Sequence, residues 1–184
     1  MNDFFLANNR TLPFPVLGTV VELKQFQVKD LDQWYAHAET IKGFLKNDYS
    51  DEILIRLLTQ HPLPTMMTIE HVSGIGLKAL LDLALKDQTE FLKLLNAVIS
   101  INDSYFKYEK QRPAKVDSKS KATWFDSFQL LISAGHTHDE IMKMSYGAFD
   151  QYLRAATRHQ KRQMSLIRFA HHAESKQFAK YADD

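Results

Sequence analysis

The chain has 184 residues, enough for one domain or two small ones with a real core, and its 45% apolar and 24% charged content is that of a globular protein. With 23 basic and 22 acidic residues it has no overall field to draw it onto nucleic acid or an anionic membrane, so any such preference must come from a local patch. No cysteine is present, which excludes disulfides, thiolate metal sites and cysteine nucleophiles.

The start, Met1 to Leu6, lacks a basic region and a long apolar run, so no signal peptide is expected. Nor does any stretch approach the ~18 consecutive apolar residues that read as a membrane helix. The expectation is a soluble, cytoplasmic protein.

The first thirty residues read as β. Pro13 and Pro15 forbid helix over Leu12–Val16 and confine that strand to an edge. Gly18 allows a turn, and Thr19–Lys24 is β-branched and roughly alternating, so a hairpin is predicted. From Val28 the period becomes helical through Leu31, Trp34, Tyr35, Ala38, Ile41 and Leu45, with Asp30 as the expected cap. Ser50 is the expected cap of a second helix with Ile53, Leu54, Leu57 and Leu58 inside, ended by His61-Pro62-Leu63-Pro64. A short helix over Thr65–Val72 stops at Ser73-Gly74, and Leu77, Leu80, Leu81 and Ala84 mark another. Asp87 and Glu90 then form a capping pair for a long helix, with Phe91, Leu94, Leu95, Val98, Asn102, Tyr105 and Phe106 on one face.

Lys107–Lys121 holds six basic and two acidic residues with Pro113 and two serines, and reads as a basic linker. Beyond it a second helical module is expected. Trp124, Phe125, Phe128, Leu131 and Ile132 form a stripe ending at Ala134-Gly135. Thr137–Glu140 is a capping box for a very short helix, and Ser145 caps a last helix with Phe149, Tyr152, Leu153 and Ala156 inside. Met164, Ile167 and Phe169 imply that this helix continues. The predicted organisation is therefore mainly α: residues 1–106 a short N-terminal β-hairpin followed by a helical bundle, 107–121 the linker, and 122–184 a small C-terminal helical module.

Candidate chemistry is sparse. His136, His138 and Asp139, with His159, His171 and His172 elsewhere, lack the converging spacing of a zinc site. No nucleophile elbow or phosphate loop occurs, since Ser73-Gly74-Ile75-Gly76 has neither the lysine nor the flanking strand. No enzyme, cofactor or metal is expected. A DNA-binding reading of residues 130–162 has more to support it. Ala134–Ile141 resembles the middle of a helix-turn-helix, and Arg154, Arg158, Lys161, Arg162 and Arg168 follow. Against it, Phe149 lies only eight residues after Ile141, and the basic residues come late in the helix, whereas base contacts come early. Protein binding suits the surplus of large apolar side chains: twelve Phe, seven Tyr and six Met. Each one left wet forgoes roughly 1.5–3 kcal/mol. Trp124, Phe125, Phe128, Leu131, Phe149 and Tyr152 are the candidate partner-binding residues, through which self-association is also open.

The order of features carries a resemblance. A β segment leads into Lys24–Leu31, and several helices then end in Leu94–Phe106, with Val98, Asn102 and the Tyr105-Phe106 pair. This resembles the tail assembly chaperones of Mu-like and other long-tailed bacteriophages. The run from Trp124 through Ala134-Gly135-His136 and Glu140-Ile141 to a basic helix is similar to the extension that many such phages append by translational frameshift. The resemblance covers about residues 12–106 and 122–160 and rests on diffuse apolar patterns. It implies a non-enzymatic chaperone that coats the tape measure protein and recruits tail tube subunits; on composition and segment length no membrane partner is expected, and the helix-turn-helix spacing disfavours nucleic acid.

Overall fold

The computed structural model describes residues 3–107 and 123–172. The predicted linker therefore lies, except for Lys107, outside the described residues. The chain is mainly helical, with a two-stranded antiparallel hairpin near its N-terminus.

The expected β character of the first thirty residues holds only in part, because Asp3–Ala7 forms a short helix, α1. Leu6 is buried there, which gives the segment a reason to curl rather than extend. Strands β1 (Leu12–Val16) and β2 (Thr19–Leu23) pair in register from Leu12↔Leu23 to Val16↔Thr19. The two-residue loop has positive φ at both positions, 53° at Leu17 and 72° at Gly18, the signature of a type I′ turn. In such a hairpin the closing pair exchanges hydrogen bonds, so by alternation Pro13 and Pro15 turn their missing N–H toward the free edge. That edge is thereby closed to further strands.

A 3-10 turn at Val28–Asp30 leads into α2 (Leu31–Leu45), followed by α3 (Asp51–Gln60) and α4 (Pro62–Ser73). Neither Asp30 nor Ser50 makes the side-chain capping bond expected of it. The prolines do end α3, yet they also open α4, since Pro in a first helical turn loses no intrahelical donor. Gly74 ends α4 at φ 72°. Next come α5 (Leu77–Lys86) and α6 (Gln88–Ile101).

Helix α6 is the centre of the larger core. Phe91, Leu94, Leu95 and Val98 repeat at three- and four-residue spacing, and all are fully buried. They meet Trp34, Ala38, Ile41 and Leu45 of α2, Ile69 and Val72 of α4, Leu80 of α5, and Val16 and Leu23 of the hairpin. Asp87 caps α6, accepting from the Glu90 amide at 2.9 Å. The Glu90 carboxylate does not close a box. It accepts instead from the Leu17 amide at 3.0 Å and so fastens the hairpin turn to the start of α6.

The long helix predicted through Phe106 breaks at Asn102, and Asp103–Phe106 forms a separate turn, α7. The Asn102 amide is the reason. Its Oδ1 accepts from the buried Phe26 N–H at 2.7 Å while its Nδ2 donates to the Val98 carbonyl at 3.1 Å. The break turns Tyr105 and Phe106 inward around Phe26, which stacks on Trp34 at 4.3 Å and 4°.

The C-terminal helices are α8 (Trp124–Ser133), α9 (His138–Lys143) and α10 (Tyr146–His172). Leu131, Ile141 and Phe149 form a second small core, completed by Val28 from the N-terminal half. The backbones of the two halves also join. Val28 N–H donates to the Met144 carbonyl at 3.1 Å and Tyr146 N–H to the Phe26 carbonyl at 2.7 Å.

Candidate functional site

Local sequence sets the three C-terminal helices. Thr123 and Asp126 form a capping box on α8, and Thr137 and Glu140 form the expected one on α9. In each box the threonine holds the carboxyl below the usual carboxylate range, chiefly through its backbone N–H. Gly135, at φ 103°, provides the turn between the two helices. Ser145 caps α10 as expected, its Oγ accepting from the Ala148 amide at 3.2 Å and donating to the Leu6 carbonyl at 3.1 Å.

The start of α10 is the joint between the halves. Gly147 lies so close to α1 and α7 that a Cβ there would stand 2.8 Å from Leu6 Cδ2 and 3.0 Å from Ser104 Oγ. Tyr146 packs edge-on to Trp34 and Tyr105, with ring centroids 5.9 and 5.1 Å away. Burial, seconded by the Asp150 carboxylate, pushes the Tyr146 phenol up to about 12. Tyr105 is likewise pushed up by burial and by its 2.7 Å hydrogen bond to Glu39 Oε2. Both phenols are therefore neutral structural groups.

The six aromatic and aliphatic residues expected to face a partner separate into distinct settings. Leu131 (0% exposed) and Phe149 (3%) form the small core, so their apolar surface is already covered within the chain. Phe128 is half-buried against that core. Trp124 leans on Phe149 at 5.6 Å yet keeps an exposed edge. Tyr152 is exposed beside the His136 ring at 4.8 Å. Phe125, 80% exposed, stands almost wholly in solvent.

More apolar surface lies further along α10, where the sequence pattern marked only a continuing helix. Met164, Leu166 and Ile167 are 64, 58 and 59% exposed. No residue from Arg158 to His171 is buried. Upstream, α8 and α10 flank an open groove of about 520 Å³ lined by Leu130, Ala134, His136, Tyr152, Ala156 and Gln160, among others. The available signal was the heptad-like recurrence of Leu153, Ala156, Gln160, Gln163, Ile167 and Ala170. Periodicity says that a face exists without saying what covers it.

The candidate metal-ligating histidines sit in separate settings. His136 rests on Tyr152, and His138 on Phe128 at 6.2 Å. His159 lines the groove and His171 is exposed. Among the described residues no group of three His, Asp or Glu is placed to hold a metal ion. No described helix is long and apolar enough to cross a membrane.

The basic residues of α10 run from Arg154, paired with Asp150 at 2.8 Å, to Arg168. From Gln151 to His172 there are five arginines or lysines and no acidic residue. A helix-turn-helix would read bases with the first turns of this helix. Here those turns are buried, through Ser145, Ala148 and Phe149. Compared with known proteins, the chain matches no family model, no curated protein and no solved structure.

Proposed function

We propose that this chain is a non-enzymatic tail assembly chaperone of a long-tailed bacteriophage, acting in the host cytoplasm. It binds the helices of the tape measure protein, keeps them soluble, and brings tail tube subunits to them. The sequence resemblance supplies the family. The observation that carries the reading is the second half of α10: fourteen residues, Arg158–His171, with none buried and with Met164, Leu166 and Ile167 open to solvent. An isolated helix of that length is marginal in water and gains its stability by burying an apolar face against something else. Phe125 adds a second exposed anchor on α8. Long apolar helices are partners of the right chemistry for both.

Co-expression with the tape measure protein of the same genome tests this reading. The expected result is a soluble tape measure protein only when this chain is present, and equal solubility without it would refute the assignment. The rival reading, a DNA-binding regulator using residues 130–162, needs salt-sensitive duplex binding in a gel shift. It has against it the burial of the first turns of α10.

A further inference from the structure

We infer that the free chain pairs with a second copy of itself, the exposed half of α10 in each copy lying antiparallel against the other about a two-fold axis level with Ser165. The pairing needs only this chain; its displacement by a partner helix rests on the protein-binding reading above.

At about 3.6 residues per turn, Gln160, Gln163, Ile167 and Ala170 fall on one line of α10. That line continues Leu153 and Ala156, which pack on the small core. Met164 and Leu166 stand on its two flanks, so Met164, Leu166 and Ile167, each more than half exposed, lie together in one turn. The flanking residues one turn earlier are Thr157 and His159. Arg154, Arg158, Lys161, Arg162 and Arg168 all lie on the opposite side of the helix. From Thr157 to Ala170 the line and its flanks therefore hold no acid, lysine or arginine. Nothing there repels a copy, and nothing selects a foreign helix by charge.

Self-complementarity sets the register. Upstream, α8 lies on this same side of α10, against Phe149, Leu153 and Ala156, so two copies in parallel would be wedged apart by their own α8 helices. Antiparallel pairing level with Ser165 keeps clear of α8. It puts Ile167 of each copy across from Gln163 of the other and Gln160 across from Ala170, while Met164 meets Met164 and Leu166 meets Leu166 on the flanks. One two-fold contact thus covers all three apolar residues in both copies. The two glutamines in the seam hold the register at a cost in stability, which leaves the pair exchangeable. A long apolar helix can then displace the copy, so pairing keeps the chaperone surface covered until that helix arrives. A lipid surface would have to accept Gln160 and Gln163 in the middle of the inserted face. A nucleic acid would meet the cationic side and leave Met164 and Ile167 wet.

The test uses the full chain alone. Sedimentation equilibrium over about a hundredfold range of concentration is expected to show the mass rising from one chain to two. Ile167→Glu, an exposed site where the fold should survive, is expected to weaken the pairing roughly tenfold or more. Because the chain has no cysteine, introduced single cysteines report the register. A mixture of Gln163→Cys and Ile167→Cys chains is expected to form the mixed disulfide roughly tenfold faster than Ile167→Cys chains form their own. A monomer at every concentration, or a dimer that Ile167→Glu leaves unchanged, would overturn the inference. So would Ile167→Cys linking to itself as fast as to Gln163→Cys, or binding to phosphatidylserine vesicles or duplex DNA that outcompetes the pairing and is lost in Ile167→Glu. A monomer that still solubilises the tape measure protein refutes the pairing and leaves the chaperone reading standing; a dimer that fails to do so refutes the chaperone reading alone.

Discussion

Asn102 joins two distant parts of the chain through one amide, accepting from the buried Phe26 N–H while donating to Val98. Asn102→Ala leaves a buried donor without a partner, and a loss of about 2–3 kcal/mol is expected in urea unfolding. Thr68 is the opposite case. Its Oγ1 is buried with no hydrogen-bond partner among the described residues. Thr68→Val keeps the shape and removes the stranded hydroxyl, so the melting temperature should stay level or rise, by the equivalent of about 1 kcal/mol. From sequence, Asn102 was legible only as a helix-face position, because periodicity registers spacing and cannot see a partner 76 residues away. Phe91, Leu94, Leu95 and Val98 were legible as core for the complementary reason: burial of a stripe is what creates the period.

Helix ends were well marked wherever the capping groups are close in sequence. Thr137–Glu140 and the Asp87 cap formed as expected, and Ser145 caps α10. Ser145→Ala removes a cap bond and one of the two hydrogen bonds to the Leu6 carbonyl, which keeps the Asn9 amide as donor, so a cost of about 1 kcal/mol is expected in chemical denaturation. The hairpin turn carries a different burden. Leu17 adopts the left-handed conformation at φ 53°, where a branched side chain is strained and asparagine is at ease. Leu17→Asn should stabilise the fold by about 1 kcal/mol while the amide still donates to Glu90. What the sequence could not reveal at this scale was the second use of each capping group. Glu90 reaches the hairpin and Ser145 reaches α1, and both contacts depend on tertiary placement.

Across the molecule, the N-terminal bundle and the C-terminal helices meet at an aromatic joint of Trp34, Tyr105 and Tyr146. The fold favours the protonated Tyr146 phenol, raised from 10.0 to about 12, so its contribution is complete below pH 10 and is lost as pH rises toward 12. Tyr146→Phe keeps the ring contacts and removes the ionisable group, so its unfolding midpoint should fall less steeply across that alkaline window. The candidate site was half legible. Exposed Phe125 and Tyr152 belong to the six residues expected to face a partner, while Leu131 and Phe149 of the same set are core. A stripe broader than its neighbour can cover has residues of both kinds, and only packing separates them.

The central claim is that the open face of α10 and its neighbour α8 exist to hold another protein's helices. Light scattering on the complex purified after co-expression with the tape measure protein measures this most directly. The expected result is a stable assembly with several copies of this chain on each tape measure molecule, diminished by Ile167→Glu. Two proteins that elute separately and at their individual masses would contradict it.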